Sequence, residues 1–186
     1  LKSLELSKKN HEILYKFCKR KKIEFLSTPY DINSAKFLNK LGCKAFKTAS
    51  ADIVDLELHS YLAKTKKPVI ISTGMANYDE IKKCVQIYKK HSNKKFILLH
   101  CVSNYPCSNK SLNMSVISEL KSRFKCMAGF SDHSVGNDAA AISVALGGVL
   151  IEKHFTLNKN LPGPDHKASS SPSEFKKLVE IVRKTQ

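Results

Sequence analysis

Acidic residues are scarce in this chain: 16 Asp and Glu stand against 32 Lys and Arg in 186 residues, a formal net charge of +16. Also lacking are a CxxC pair, an apolar run near the ~20 residues that span a bilayer, and the charged, apolar, small-residue series of a secretory leader. These absences argue against a zinc ribbon, a spanning helix and an exported disulfide scaffold. Cys18, Cys43, Cys84, Cys101, Cys107 and Cys126 sit mostly among apolar residues, where a thiol behaves as a small hydrophobe. The compartment they point to is the cytoplasm. The surplus of positive charge raises a nucleic-acid or polyanion surface as an alternative. However, the lysines are dispersed over amphipathic stretches, as at Lys36, Lys82 and Lys121. Only Lys19-Arg20-Lys21-Lys22 forms a dense block, without the interleaved aromatics of a base-stacking platform. Neither a nucleic-acid nor a membrane partner is expected, and part of the charge is left to attract an anionic substrate. The chain begins at Leu1 rather than Met, so a piece of a longer protein is expected.

What is present alternates between two periods. Short β-rich apolar runs lie at 23–27, 44–50, 68–73, 96–101, 126–132 and 148–155. Helical spacing fills 2–20, 33–41, 54–65, 77–90, 113–123, 137–147 and 173–184. Strands alternating with helices imply βαβ units and a parallel sheet, and nearly continuous apolar strands imply burial on both faces. Helix punctuation agrees. Asn33-Ser34 precedes one helix, Asn77 with Glu80 reads as a capping box before another, Pro172-Ser173 opens the last, and Gly42 suits a left-handed helix end.

Polar residues follow nearly every strand: Ser27-Thr28, Lys47 and Ser50, Ser72-Thr73, His100 and Ser103, Ser131 to His133, His154 and Thr156. In a (β/α)8 barrel all such strand ends line one mouth, whereas an open sheet concentrates them at one switch point. A complete barrel needs about 250 residues. The expected fold is therefore an α/β, incomplete (β/α)8 TIM barrel, with strands three to eight present and the first two βα units missing. Residues 1–186 form one partial domain.

Two histidines close strand-like runs twenty-one residues apart, His133 after MAGFSD and His154 after VLIEK. Imidazoles on successive strand ends can share one divalent cation, Mn²⁺, Co²⁺, Fe²⁺ or Zn²⁺. Two hydrogen-bonded core histidines are the plainer alternative. Lys47 lies inside a strand, an expensive place for an ammonium unless an anion pairs with it. Ser27-Thr28-Pro29 and Ser72-Thr73-Gly74-Met75 each place two hydroxyls before a turn former, which suits a phosphate or carboxylate. Cys101 adjoins His100, but neighbouring strand residues point to opposite faces. That excludes a dyad and leaves Cys101 as packing, with Ser103 and Tyr105 as candidate ligand contacts. The rigid loop Leu161–Lys167 carries Asp165, suited to grip sugar hydroxyls or act as a base.

Taken together, FLSTPYD, KAFKTASAD, PVIISTGMA, ILLHCVSNYP, GFSDHSVG and VLIEKHFTLNKNLPGPDHKAS resemble the sialic acid (N-acetylneuraminate) synthase family over nearly the whole chain. His100-Cys101 and the PGPDHKAS stretch look more like neuraminate or legionaminate synthases than the pseudaminate branch. The resemblance implies condensation of phosphoenolpyruvate with an open-chain N-acetylhexosamine, typically N-acetylmannosamine, to give a nonulosonic acid and phosphate. It implies a divalent metal, Mn²⁺ foremost, on His133 and His154. It also implies phosphoenolpyruvate contacts at Thr28, Lys47, Ser50, Ser72 and Ser131, ligand contacts at Ser103 and Tyr105, and a sugar-binding acid at Asp165. His133, His154 and Asp165 would carry the catalysis. Absent from these residues are the family's first two strands, with a glutamate and a phosphate-binding lysine, and its small C-terminal antifreeze-like domain. The 186 residues alone are therefore expected to be inactive, and the full-length protein to be a homodimer.

Overall fold

The computed structural model describes residues 5–186. Five strands run parallel: β1 (Phe46–Thr48), β2 (Val69–Ser72), β3 (Phe96–Cys101), β4 (Met127–Asp132) and β5 (Ile151–Lys153). Helices α1 (Lys8–Arg20) and α2 (Ile32–Leu41) precede the sheet. Helices α3 (Leu56–Lys64), α4 (Tyr78–Lys90), α5 (Val116–Phe124), α6 (Asp138–Ala145) and α7 (Pro172–Thr185) each follow a strand. The strands hydrogen-bond in the order β1-β2-β3-β4-β5. Phe46 stands opposite Val69, Val69 opposite Phe96, Ile97 opposite Met127 and Phe130 opposite Ile151. An open doubly wound sheet reverses its order at a switch point; this order never reverses, as in a barrel wall. The fold is α/β, a curled parallel half-barrel matching an incomplete TIM-barrel-like domain.

Strand alternation divides the side chains into two sets. Phe46, Val69, Ile71, Leu98, Ala128 and Phe130 are fully buried and pack with Leu58, Leu62, Ile81, Val85, Ile117 and Leu120 of the helices into one core. Lys47, Ile70, Ser72, Leu99, Cys101, Gly129 and Ser131 alternate onto the inner face. At Gly129 the strands come too close for any side chain, since a Cβ there would stand 2.3 Å from the Leu150 carbonyl oxygen. Helix ends follow their local chemistry. Asn77 accepts from the Asp79 and Glu80 amides while Glu80 accepts from its own. Gly42 takes φ 100° at the end of α2, and Ser171 caps α7 with Glu174 completing the box. The start of α2 differs from expectation: Asp31 is its cap, accepting from the Ser34 amide at 2.9 Å, so the helix begins before Asn33.

The expected strand at 23–27 does not form. Residues 23–29 form no regular element and join no ladder, and Ile23 and Leu26 are exposed. A strand depends on a partner's backbone, which apolar patterning does not provide. Among the described residues there are therefore five strands rather than six. The flanking helix α1 buries no residue. The expected start of that helix at residue 2 lies outside the described residues. All six cysteines are free, and no described helix is long and apolar enough to cross a membrane.

Candidate active site

A cavity of about 430 Å³ opens where the carboxyl ends of the strands meet. It gathers side chains from stretches far apart in the chain. Thr28 and Tyr30 come from the unpaired segment, Lys47 from β1, Ser50 from the 3-10 turn after it, and Ser72 from the end of β2. Cys101 ends β3 and Tyr105 follows it, Ser131 and His133 lie at the end of β4, Glu152 and His154 at the end of β5, and Asp165 in the loop beyond. Of the nominated residues, Thr28, Lys47, Ser50, Ser72, Tyr105, Ser131, His133, His154 and Asp165 line this space, whereas Ser27, Thr73 and Ser103 do not. Ser103 packs beside it, with its Oγ 2.7 Å from the point a Gly74 Cβ would occupy. His166 turns away to hydrogen-bond Thr156 at 2.8 Å.

Lys47 is buried, and its Nζ donates to Ser72 Oγ at 2.7 Å and the Thr48 carbonyl at 2.8 Å. Glu152 Oε2 lies 3.5 Å from that ammonium, and Glu152 Oε1 accepts from Ser131 Oγ at 2.7 Å. A buried cation held by neutral oxygens on one side and one carboxylate on the other is suited to an anion. The Gly74 amide donates to Ser50 Oγ at 3.1 Å, which keeps the turn after β2 folded against the cavity floor.

The two histidines meet. Their ring centroids are 5.3 Å apart and steeply inclined. Tyr105 stacks on His133 at 4.0 Å and touches His154 edge-on at 5.5 Å. Burial pushes the Tyr105 hydroxyl above its ordinary range. His133 Nδ1 lies 2.8 Å from the Val102 carbonyl, so that nitrogen donates and the ring is oriented by the backbone. His154 Nδ1 faces Asp165 at 3.9 Å. Burial, and then the neighbouring His133, lower the His154 pKa and favour its neutral form. Neutral imidazole is the form that binds metals. Two such rings opening on one cavity, with Glu152 and Asp165 on its walls, fit a divalent cation whose other positions are left to water or substrate. Among the described residues no group of three or more His, Cys, Asp or Glu is gathered to hold a metal by itself.

The structure also brings in residues to which the sequence assigned no site role. Glu152 is the main one; its two-residue spacing from His154 put it on the same strand face. Cys101, read as packing, points into the cavity with its sulfur 3.7 Å from His133 Nδ1 and 3.6 Å from Ser50 Oγ. His100 faces the helices, stacks on Phe130 and bonds the Leu112 carbonyl, so the two form no dyad. Tyr30 carried no signal beyond its place after Thr28.

The NeuB family pattern is matched across residues 1–186. The chain belongs to the NeuB family. It is 43% identical over 188 residues to the N,N'-diacetyllegionaminic acid synthase of Campylobacter jejuni, covering 100% of this chain and 56% of that protein. It is 36% identical over 176 residues to the pseudaminic acid synthase of the same species, covering 95% of this chain and 51% of that protein. The crystal structure of N-acetylneuraminic acid synthetase from Leptospira borgpetersenii, solved with citrate, superposes with a TM-score of 0.93 at 38% identity. That match covers 97% of this chain and 63% of the other. The chain spans about half the length of the curated relatives it matches.

Proposed function

We propose that this chain is the catalytic portion of a nonulosonic acid synthase that joins phosphoenolpyruvate to an N-acetylhexosamine. It would be a single barrel domain corresponding to strands three to eight, in a protein that acts as a homodimer. The observation that carries the reading is the pairing of a buried lysine–hydroxyl cradle with two facing histidines in one cavity. Lys47 and Ser72, with Ser50, Ser131 and Thr28 around them, supply donors for the phosphate and carboxylate of an enol phosphate. A second substrate then lies against His133, His154 and Tyr105.

The residues that would hold the metal, Mn²⁺ foremost, are His133 and His154. When bound, the ion supplies Lewis acidity to the sugar aldehyde. The protein's own groups do the rest. Lys47 fixes the phosphate, so C3 of the enol points toward the aldehyde carbon. The C2=C3 π pair forms the C–C bond, the aldehyde C=O pair moves to its oxygen, which takes a proton, and C2 is left electron-poor. Water adds at C2, the C2–O bond to phosphate breaks, and phosphate leaves with both electrons of that bond. Glu152, beside Lys47 and Ser131, is the carboxylate placed to take the proton of that water. Asp165, on the outer side of His154, accepts from sugar hydroxyls, and Tyr105 shields the inner side of the histidines from solvent.

N-acetylmannosamine is the hexosamine expected first, and the His100-Cys101 and PGPDHKAS signatures keep the legionaminate precursor as the rival. The test is phosphate release from phosphoenolpyruvate by the full-length gene product with Mn²⁺ and each candidate hexosamine. Release that depends on the sugar supports the reading; release with no dependence on any sugar refutes it.

A further inference from the structure

Three successive cross-strand pairs close the β4–β5 seam. Ser131 stands opposite Glu152 and Asp132 opposite Lys153, and the next residues are His133 and His154. The outer two pairs open on the cavity. The middle pair differs: Lys153 borders the cavity but keeps its ammonium out of it, bonded to Asp132. By strand alternation the pair's side chains turn to the other face, where Lys153 and Asp132 are 2% and 0% exposed and form an ion pair at 2.7 Å.

A buried ion pair is poor evidence for stability, because desolvation consumes most of the attraction. Its placement suggests another use. Asp132 Oδ1 accepts from both the amide and the hydroxyl of Ser134, at 2.8 and 2.6 Å. Lys153 Nζ donates to the Ser134 carbonyl at 2.6 Å and the Gly136 carbonyl at 3.0 Å. The His133 carbonyl, in turn, accepts from the Cys107 amide at 2.8 Å. Ser134 is thus gripped at its amide, hydroxyl and carbonyl, and the chain is fixed immediately before and after His133. The same lysine is the residue before His154, so one pair holds both histidine backbones.

We propose that Asp132 and Lys153 are positioning residues that set the His133–His154 separation, acting through the backbone and touching neither substrate nor cation. The role in cation binding rests on the reading of the histidines given above; the role in spacing the rings does not.

The test is a neutral pair, Asp132→Asn with Lys153→Met, in the full-length gene product. Removing one charge alone would leave the other buried and threaten folding, whereas replacing both keeps volume and neutrality. The first measurement is a crystal structure of the double variant. The inference expects the loop at 134–136 to shift and the ring centroids to leave their 5.3 Å arrangement. An unchanged histidine pair overturns it, whatever the histidines bind. The second is Mn²⁺ affinity by electron paramagnetic resonance in the absence of substrates. Outer-shell partners of metal ligands contribute about 10–100-fold, and a loss of that size in a variant with wild-type secondary structure supports the clamp. Wild-type affinity overturns it. His133→Ala, measured alongside, separates the two claims: a variant that keeps wild-type Mn²⁺ affinity refutes the histidine reading, not the clamp.

Discussion

Two histidine environments in this molecule use the same side chain in opposite ways. His59, on α3, is fully buried in the helix layer. Its Nδ1 meets the Tyr88 hydroxyl at 2.9 Å, and its Nε2 has no partner among the described residues. The surrounding Leu58, Leu62 and Cys84 are apolar and also buried. His133 and His154 instead stand at strand ends and line a polar cavity, with His133 Nδ1 against the Val102 carbonyl and His154 Nδ1 facing Asp165. For His133 the difference lies in neighbours, not in burial. His133 is itself only 6% exposed. Burial in the helix layer favours the neutral form of His59 even with Asp55 nearby, while a histidine beside a polar opening can meet a ligand.

The sharpest way to break this comparison is to remove the rings. His133→Ala or His154→Ala in the full-length gene product should abolish Mn²⁺-dependent turnover, a loss beyond the roughly 100-fold ceiling of outer-shell effects. Steady-state rates with phosphoenolpyruvate and hexosamine check this, and turnover within tenfold of wild type would end the equivalence between position and role. His59→Phe should leave turnover near wild type.

The next largest effect concerns acid. Burial pushes the His59 pKa down to about 4, from 6.5 when exposed. Above pH 6.5 the ring is neutral in both folded and unfolded chains, and its neutrality carries no cost. As pH falls, the unfolded chain takes up a proton that the fold refuses. Stability is therefore lost between about pH 6.5 and 4 and levels off below that, a total of about 3 kcal/mol. Urea unfolding across that range should show the slope in the wild type and a flatter profile in His59→Phe. Equal slopes would mean the helix-layer histidine is not the inert one.

Much of this contrast was legible in the sequence. Seven helical segments, the capping box at Asn77 and five of the six strands follow from spacing and turn chemistry. The two histidines, Lys47 and the strand-end hydroxyls could be nominated because polar residues ending apolar runs are conspicuous. Legibility ended where a neighbour decides the outcome. The run at 23–27 has strand composition, but pairing is a property of two backbones. Asp132 looks like an ordinary strand-end acid until the β4–β5 register pairs it with Lys153 on the far face. Cys101 has the composition of a packing residue and only the curl of the sheet turns it toward His133. His59 carries no mark at all, since its silence comes from three helices' worth of side chains around it.

Smaller effects sharpen the cavity side. Lys47→Met removes the buried cation that the anion would face. Hydrogen bonds to charged groups contribute about 1.5–3 kcal/mol, so KM for phosphoenolpyruvate should rise about 10- to 150-fold, with less change in the constant for the sugar. Equal rises for both substrates would place Lys47 elsewhere in the reaction. Gly74→Ala should act more weakly. Its Cβ would meet the Ser103 and Ser50 hydroxyls at 2.7 and 2.8 Å and the Cys101 sulfur at 3.1 Å, movable groups whose displacement costs about 1 kcal/mol. A few-fold rise in KM for phosphoenolpyruvate is expected, and a fully inactive variant would show that the turn contacts the reacting atoms directly.

The most direct measurement is hexosamine-dependent phosphate release by the full-length gene product, run side by side for the wild type, His133→Ala and His59→Phe. The account predicts release in the wild type and in His59→Phe, and none above background in His133→Ala. Equal release in all three, or loss in His59→Phe with retention in His133→Ala, would contradict it.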